Sequence, residues 1–200
     1  RSHDVIGTVT SDAARLTGIP AGTPVVAGGG DFPVSMLGFG IVGDGVTADV
    51  TGTSTLLAAH TSSPLLHPSI QNVRHVVNGW IPFTILDCGG MSMKWCKDLV
   101  SSMRGAEVSY DELITMASTV RAGSDGLIFY PYMLGERRRE NTTARGCYFG
   151  IALNHSGGHF VRSVMEGVAL SMGKDIRCFQ EQGHQVTRLM SVGGGTRNEL

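Results

Sequence analysis

The stretch that decides the fold reads VTADVTGTSTLLAA and runs from residue 46 to residue 59. Its two halves, residues 46–51 and 55–59, are rich in β-branched and aliphatic side chains, and Gly52-Thr53-Ser54 separates them. This pattern predicts two strands that are joined by a tight glycine turn. Because strand patterns alternate with helical patterns along the rest of the chain, we predict an α/β protein.

The segments on either side supply the other elements. Capping and apolar spacing predict helices at residues 10–17, 33–40, 91–103 and 159–182, and one after the capping box Ser109-x-x-Glu112. We expect strands at residues 23–27, 73–77, 80–86, 127–130 and 186–192, with 23–27 and 127–130 buried. The helix at 91–103 rests on the helical spacing of Met91, Trp95 and Leu99. Two finer predictions concern a tight hairpin turn at Asn78-Gly79 and close packing at Gly167 and Gly173.

Composition limits the class of protein. The 200 residues are 42% hydrophobic, which is enough for a sizeable core, and 16 basic against 17 acidic residues leave a formal charge of −1. This balance argues against a nucleic-acid partner, and no stretch reaches the roughly 18 apolar residues of a membrane span. The four cysteines show neither paired nor metal-ligand spacing, so we expect free thiols and a cytoplasmic location.

Three glycine-rich turns are candidate ligand sites. Gly28-Gly29-Gly30-Asp31, Gly52-Thr53-Ser54-Thr55 and the run Gly193-Gly194-Gly195-Thr196-Arg197-Asn198 each follow a predicted strand. A phosphate or nucleotide needs exposed backbone N–H groups and close main-chain approach, which glycine permits. Glycine also ends strands without any ligand, so chain reversal alone stays open as an alternative. None of the three turns is a Walker loop, since Gly-Lys-Ser/Thr is absent.

Asp31 is the most specific single candidate for a catalytic role. An aspartate after three glycines, at a strand-to-helix turn, is well placed to accept a proton from an attacking hydroxyl. The same position suits a helix N-cap, and the sequence alone leaves both roles open.

Other polar groups form weaker patterns. The run Arg137-Arg138-Arg139 beside Glu136 is either an anion grip or a solvated loop, and a solvated loop is the commoner case. The histidines lack a metal-binding spacing, and we assign no residue of this chain to a metal.

A motif in the second half of the chain has a more specific pattern. Gly146-Cys147-Tyr148-Phe149-Gly150-Ile151 is followed after seven residues by a segment from His159 to Glu166. The two segments resemble the second signature of the FGGY carbohydrate kinases, and the chain as a whole resembles the C-terminal two-fifths of that family, most of all its xylulose kinases. The resemblance implies an actin-like, ribonuclease-H-like fold in which ATP and sugar meet between two domains.

The resemblance also implies domains and site residues. Residues 1–42 would end the first domain and residues 43–200 would form most of the second, nucleotide-binding domain, in a longer polypeptide whose N-terminal part is missing here. The roles implied are a catalytic base at Asp31, a phosphate hairpin at Gly52, Thr53 and Ser54, an adenosine loop at Gly193, Gly194, Gly195, Thr196 and Asn198, and nucleotide contacts at Gly90 and Lys94. ATP and Mg²⁺ are the implied cofactors.

The acceptor site departs from the family pattern. Xylulose kinases usually have Asn after the catalytic aspartate, whereas this chain has Phe32 and then Pro33. We therefore expect Asp31 and Phe32 at the acceptor and a ketose or polyol as substrate, with a homodimer as a candidate assembly. The alternative is an actin-like nucleotide-binding structural or regulatory protein without sugar chemistry, which Phe32 favours. A third expectation is that the isolated 200-residue piece is inactive, because it would hold only the nucleotide half of a bipartite site.

Overall fold

The structure is a computed structural model that describes residues 1–136 and 143–197. The arginine run at residues 137–139 and the predicted adenosine contact Asn198 lie outside the described residues. The strands are β1 (Val5–Thr8), β2 (Pro24–Val26), β3 (Val46–Thr51), β4 (Thr55–Ala59), β5 (Gln71–Arg74), β6 (Trp80–Leu86), β7 (Ile128–Tyr130), β8 (Cys147–Phe149) and β9 (Arg188–Gly193). The helices are α1 (Ser11–Thr17), α2 (Asp31–Gly38), α3 (Gly89–Arg104), α4 (Tyr110–Ser118) and α5 (Gly157–Glu181), with 3-10 turns at Ser124–Gly126 and Gly194–Arg197.

A five-stranded mixed sheet with the order β5-β6-β4-β3-β9 forms the centre. Its first four strands pair antiparallel, and β9 joins the edge parallel to β3. Both faces of the sheet are covered. Met36 of α2 packs on one face with Ala58 of β4, and Phe179 of α5 packs on the other with Leu57. Because residues of β4 are buried on both faces of the sheet, its sequence is apolar without interruption from Leu56 to Ala59.

A second core lies between α3, α4 and α5 and beside the antiparallel pair of β7 and β8. Its centre is a chain of ring contacts. Phe129 and Tyr148 have centroids 4.8 Å apart, and Tyr148 and Phe160 have centroids 5.0 Å apart. Gly167 of α5 lets the helix approach β7, because a Cβ there would overlap the carbonyl oxygen of Phe129.

Most of the expected elements are confirmed. The strands at residues 46–51 and 55–59 and the capping box of α4 are as predicted, and α1 has Thr10 as N-cap and a left-handed Gly18 at its C-terminus. The prediction for Gly167 is confirmed, but that for Gly173 is wrong, because no described atom lies within 4 Å of a Cβ at that position. The cysteines form no disulfide.

Of three further local predictions, two are wrong and one is confirmed. The connection between β5 and β6 spans residues 75–79 and is longer than a two-residue turn, because the ring of His75 leaves the ladder and its Nε2 lies 3.0 Å from Ile41 O. The helix predicted from the spacing of Met91, Trp95 and Leu99 is confirmed as α3, and its buried residues include Ser92 and Cys96. Two strands expected to be buried are not, since every residue of β2 is exposed and β7 buries Phe129 alone.

The β2 strand is exposed because its only partner strand among the described residues is β1. This two-stranded sheet leaves Val5, Ile6 and Val26 at least half exposed. It joins the rest of the chain through Ser2, whose Oγ donates to Val76 O at 2.6 Å. Within the described residues no helix has the length and apolar character needed to cross a membrane.

Candidate functional site

Two of the glycine turns meet at one end of the central sheet. In the parallel pair of β3 and β9, Thr51 lies opposite Gly193, so both strands deliver their turns to the same edge. Gly52 N donates to Ser54 O at 2.9 Å, which closes the turn between β3 and β4. Segments that are far apart in sequence thereby form one surface of exposed main chain.

The first turn of α3 lies against this surface. Gly90 N donates to Gly52 O at 3.0 Å, and Met91 N donates to Thr53 O at 3.0 Å. These are two of the N–H groups that a helix start leaves without an intrahelical partner. A Cβ at Gly90 would overlap the carbonyl oxygen of Gly52, so the glycine is required for this close approach.

The run after β9 is more open. Gly193 has φ of 124°, and a Cβ there would overlap Thr51 O. At Gly194 and Gly195, by contrast, no described atom lies within 4 Å of a Cβ, and both residues are exposed. Thr196 Oγ1 donates to Gly193 O at 2.8 Å, which closes the 3-10 turn. The open glycines give a ligand access to the backbone.

A buried polar network below the turn was not predicted from the sequence. Asp49 is only 8% exposed, and its Oδ1 accepts a hydrogen bond from Thr51 Oγ1 at 2.7 Å. Thr51 Oγ1 lies 3.1 Å from Thr55 Oγ1, across the two strands. Alternate residues of a strand share a face, which is the signal that a closer reading of Asp49 and Thr51 would have used.

Lys94 lies one helical turn beyond Gly90. Its Nζ donates to Asp98 Oδ2 at 2.6 Å, and this hydrogen bond raises the pKa of Lys94. The ammonium group is thus charged and exposed, and here it is paired along its own helix. Its predicted contact with a nucleotide requires that it exchange Asp98 for a phosphate.

Asp31 is the first residue of α2, and Gly30 occupies the N-cap position without a side-chain cap. Asp31 Oδ1 accepts a hydrogen bond from Phe32 N at 2.7 Å. The carboxylate therefore satisfies one N-terminal amide of the helix, while Oδ2 has no hydrogen-bond partner among the described residues. Asp31 is thus the first helical residue and not the N-cap, so the capping alternative is wrong. Oδ1 is bonded to the helix backbone, and Oδ2 remains available for a substrate.

Phe32 is turned toward the core. Its ring lies 4.9 Å from that of Phe83 in β6, and it packs on the cluster between α2 and the sheet. Phe32 thereby anchors the first turn of α2, the turn that carries Asp31.

The glycine run before Asp31 and the glycine surface make different contacts. Among the described residues no hydrogen bond or ion pair joins Asp31 to the turns at residues 52–54 and 193–197. The glycine run before Asp31 instead touches the loop between β5 and β6, where a Cβ at Gly29 would overlap Val76.

The most specific sequence motif has a packing role. Glu166 accepts hydrogen bonds from Gly123 N at 2.9 Å, Ser124 Oγ at 2.7 Å and Arg162 Nε at 2.8 Å. His159 Nε2 lies 3.1 Å from Asp125 Oδ2. Ser124 and Asp125 have φ angles of 47° and 48°. Residues other than glycine rarely adopt this left-handed backbone conformation. The motif holds this turn in place, at the second core.

Comparison with known proteins points to one family. Residues 48–200 match the family model described as the FGGY family of carbohydrate kinases, C-terminal domain. The xylulose kinase of Staphylococcus epidermidis is 30% identical over 100% of this chain and 40% of its own length, and the gluconokinase of Bacillus subtilis is 30% identical over 94% and 39%. The crystal structure of xylulose kinase from Rhodospirillum rubrum superposes with a TM-score of 0.91, at 32% identity over 99% of this chain and 40% of that one. The chain thus spans about two fifths of the relatives it matches.

Proposed function

This chain belongs to the FGGY family of carbohydrate kinases, and from that premise we propose that it transfers the γ-phosphoryl group of ATP to a hydroxyl of a ketose or polyol. The observation that carries the proposal is the common surface of the Gly52 and Gly193 turns, to which the first turn of α3 is bonded. Exposed main chain at strand ends is suited to binding the phosphates of a nucleotide.

We assign the nucleotide to this surface. Gly52, Thr53 and Ser54 would bind phosphates, and Gly194, Gly195 and Thr196 would lie along the adenosine, with Asn198 next to them in sequence. Gly90 supports the turn from α3, and Lys94 supplies a positive charge. Mg²⁺ prefers oxygen ligands, and the hydroxyl groups of Thr53 and Ser54 together with the Asp49 carboxylate are oxygen donors that suit it as part of an ATP complex. Its chemistry would be to neutralise charge on the β- and γ-phosphates.

Asp31 is the proposed general base. Its Oδ2 would accept the proton of the attacking hydroxyl, while Oδ1 stays bonded to Phe32 N and fixes the carboxylate at the start of α2. Phe32 at the acceptor remains a prediction. Its contact with Phe83 favours an indirect role, in which it holds the turn of Asp31.

Closure between two domains would bring the acceptor, the base and the nucleotide together. We propose that residues 1–42 end a first domain and that residues 43–200 belong to a second. Because α2 packs on the central sheet, Asp31 would stay with that sheet, and the approach of the rest of the first domain would bring the acceptor to Asp31 and the γ-phosphate. Closure of this kind excludes water and limits ATP hydrolysis. A homodimer and a cytoplasmic location remain predictions.

The test is sugar-dependent release of ADP by the full-length protein. Ketoses, polyols and an aldonate would be compared, since the relatives include both xylulose kinases and gluconokinases. We expect stimulation by a ketose or polyol. Asp31→Asn should reduce kcat by a factor of ~10² to 10⁴, the usual contribution of a general base, with nucleotide affinity preserved.

Asp111→Asn is the matched control, because Asp111 is also an exposed aspartate in the first turn of a helix. It should leave turnover unchanged. Sugar-dependent turnover that survives in Asp31→Asn would refute the assignment of the base.

A second candidate is a nucleotide-binding protein without sugar chemistry. The packing of Phe32 into the core favours it, because this position then offers no polar contact to an acceptor. In that case the full-length protein would bind ATP but release ADP at a rate that no sugar changes.

A further inference from the structure

Three side chains from two distant parts of the sequence meet at the C-terminal end of α5. His67 comes from the connection between β4 and β5, and Cys178 and Glu181 come from the end of the helix. One ligand atom of each, a ring nitrogen, the sulfur and a carboxylate oxygen, lies within 4.8 Å of the other two. Residues three apart share a helix face, which explains why Cys178 and Glu181 point to the same place.

We propose that these residues bind one divalent transition-metal ion of the zinc class. Imidazole nitrogen, thiolate sulfur and carboxylate oxygen are the ligand types that Zn²⁺ takes in proteins. Alkaline-earth ions prefer oxygen ligands alone, so the thiol excludes them. Three protein ligands leave a fourth tetrahedral position for water, on the side where Glu181 is exposed. Cys178 binds as the thiolate, and its proton passes to solvent.

The end of α5 favours a cation independently of the ligand set. The carbonyl groups at a helix C-terminus carry partial negative charge, which basic side chains normally offset. The last turn of α5 carries Glu181 and no basic residue, although the structure describes the whole helix. A bound dication compensates both the carboxylate and the helix end.

A hydrogen bond of His67 competes with the metal. Ser69 N donates to His67 Nδ1 at 3.1 Å, which puts the hydrogen of the neutral ring on Nε2. Ligation through Nδ1 replaces this bond, and ligation through Nε2 shifts the ring hydrogen to Nδ1, which then no longer accepts from Ser69 N. On either route the bond from Ser69 N is exchanged for a bond from His67 to the metal.

The site would act as a structural clamp. Leu65 and Ile70, on either side of His67, pack with Cys178 and Phe179 in the cluster between the sheet and α5. A metal would fasten the β4–β5 connection to the helix at the edge of that cluster. None of the three ligands belongs to the proposed nucleotide surface, so the inference does not depend on kinase activity.

Cobalt is the probe that tests the site, because a cobalt–thiolate bond adds a charge-transfer absorption in the near ultraviolet. The full-length protein, stripped of metal with a chelator, is titrated with Co²⁺ alone. We expect the thiolate band to saturate at one equivalent and to disappear when Zn²⁺ is added. Absence of the band at saturating Co²⁺ would overturn the proposal.

Variants identify the ligands. Cys178→Ser should abolish the band, whereas Cys147→Ser, at an exposed cysteine outside the cluster, should retain it. His67→Gln and Glu181→Gln should each weaken Zn²⁺ binding at least ~10-fold, since even residues that only support a ligand contribute that much. The His67→Gln and Glu181→Gln variants still test the proposal if the Cys178→Ser protein does not fold. Zn²⁺ affinity unchanged in both, or a band lost with Cys147 and kept without Cys178, would refute it.

Discussion

At the scale of single residues, two helix glycines illustrate opposite roles. Gly90 lies where the backbone of α3 meets the carbonyl oxygen of Gly52, whereas Gly173 in α5 has open space around it. A methyl group at Gly90 would require the turn or the helix to move. At Gly173 it would only restrict the unfolded chain, which stabilises a helix.

Gly90→Ala should therefore lower the free energy of unfolding by about 1–3 kcal/mol, the usual cost of overpacking. It should also weaken ATP binding, because the turn at residues 52–54 cannot keep its position. Thermal unfolding and calorimetric titration with ATP measure the two effects.

Gly173→Ala is the matched control, with an expected gain of about 0.5–1 kcal/mol and unchanged ATP affinity. If Gly90→Ala binds ATP as tightly as the wild type does, the turn does not depend on α3 for its position.

A second prediction at this scale concerns Glu166 and the dependence of stability on pH. Burial raises the pKa of its carboxyl, but the hydrogen bonds from Ser124 and Gly123, together with Arg162, outweigh burial and hold the pKa below the ordinary 4.5. A depressed pKa in the folded state stabilises the fold above the unfolded pKa, and the contribution is lost as pH falls through the folded value.

Glu166→Gln should thus cost about 1–3 kcal/mol at neutral pH, as expected for a part-buried group that loses charged hydrogen bonds. The difference from the wild type should shrink as the pH drops below about 4.5. Denaturant unfolding across pH 3–7 measures this, with the exposed Glu107→Gln as control. A difference that stays constant with pH would show that the charge of Glu166 is not what stabilises the turn.

At the scale of elements, the hairpin of β3 and β4 contains one threonine with a structural role and one with a proposed binding role. Thr51 is bonded to the buried Asp49, whereas Thr53 is exposed in the turn itself. Thr51→Val removes the donor to a buried carboxylate and should cost about 1–3 kcal/mol. Thr53→Val should leave stability within about 0.5 kcal/mol, as surface changes usually do, and weaken ATP binding. Urea unfolding and ATP titration of both variants are the measurements, and an equal loss of stability in both would contradict this division.

The same hairpin shows what the sequence can predict and why. At residues 46–59 the strand composition and the glycine turn agree, so both strands were predicted with their observed bounds. At Asn78-Gly79 the local signal was overridden by a distant contact, the one between His75 and Ile41.

The candidate site also has parts that local sequence predicts and parts that depend on distant contacts. The glycine turns follow from local sequence, and so does the place of Asp31 at the start of a helix. The network of Asp49, Thr51 and Thr55 depends on strand register, and the cluster of His67, Cys178 and Glu181 depends on the packing of α5. Spacing places Asp49 with Thr51 on one strand face and Cys178 with Glu181 on one helix face, but only the tertiary structure adds Thr55 and His67.

At the scale of the whole molecule, the sheet of β1 and β2 differs from the rest of the chain. Val5, Ile6 and Val26 are 63%, 68% and 50% exposed, an unusual amount of apolar surface for adjacent strands. The chain also spans only about two fifths of its relatives' length. We expect this surface to be covered in a protein of the relatives' length.

Hydrogen exchange tests this expectation. Amides of residues 5–8 and 24–26 should exchange much faster in the 200-residue chain than in the full-length protein, whereas those of β3 and β4 should exchange slowly in both. Equal, fast exchange at residues 5–8 and 24–26 in the two proteins would show that the surface stays open to solvent.

The parallel pairing of Thr51 with Gly193 also constrains the order of assembly during translation. Strands β3 to β6 can form their antiparallel ladder as soon as residue 86 leaves the ribosome, but β3 then has an unpaired edge. That edge is closed only after about a hundred further residues have been synthesised and α5 has covered the sheet, a long-range contact that forms slowly. A nascent chain that ends before β9 would lack half of the glycine surface. Nucleotide could therefore stabilise the finished domain but could not guide its earlier folding.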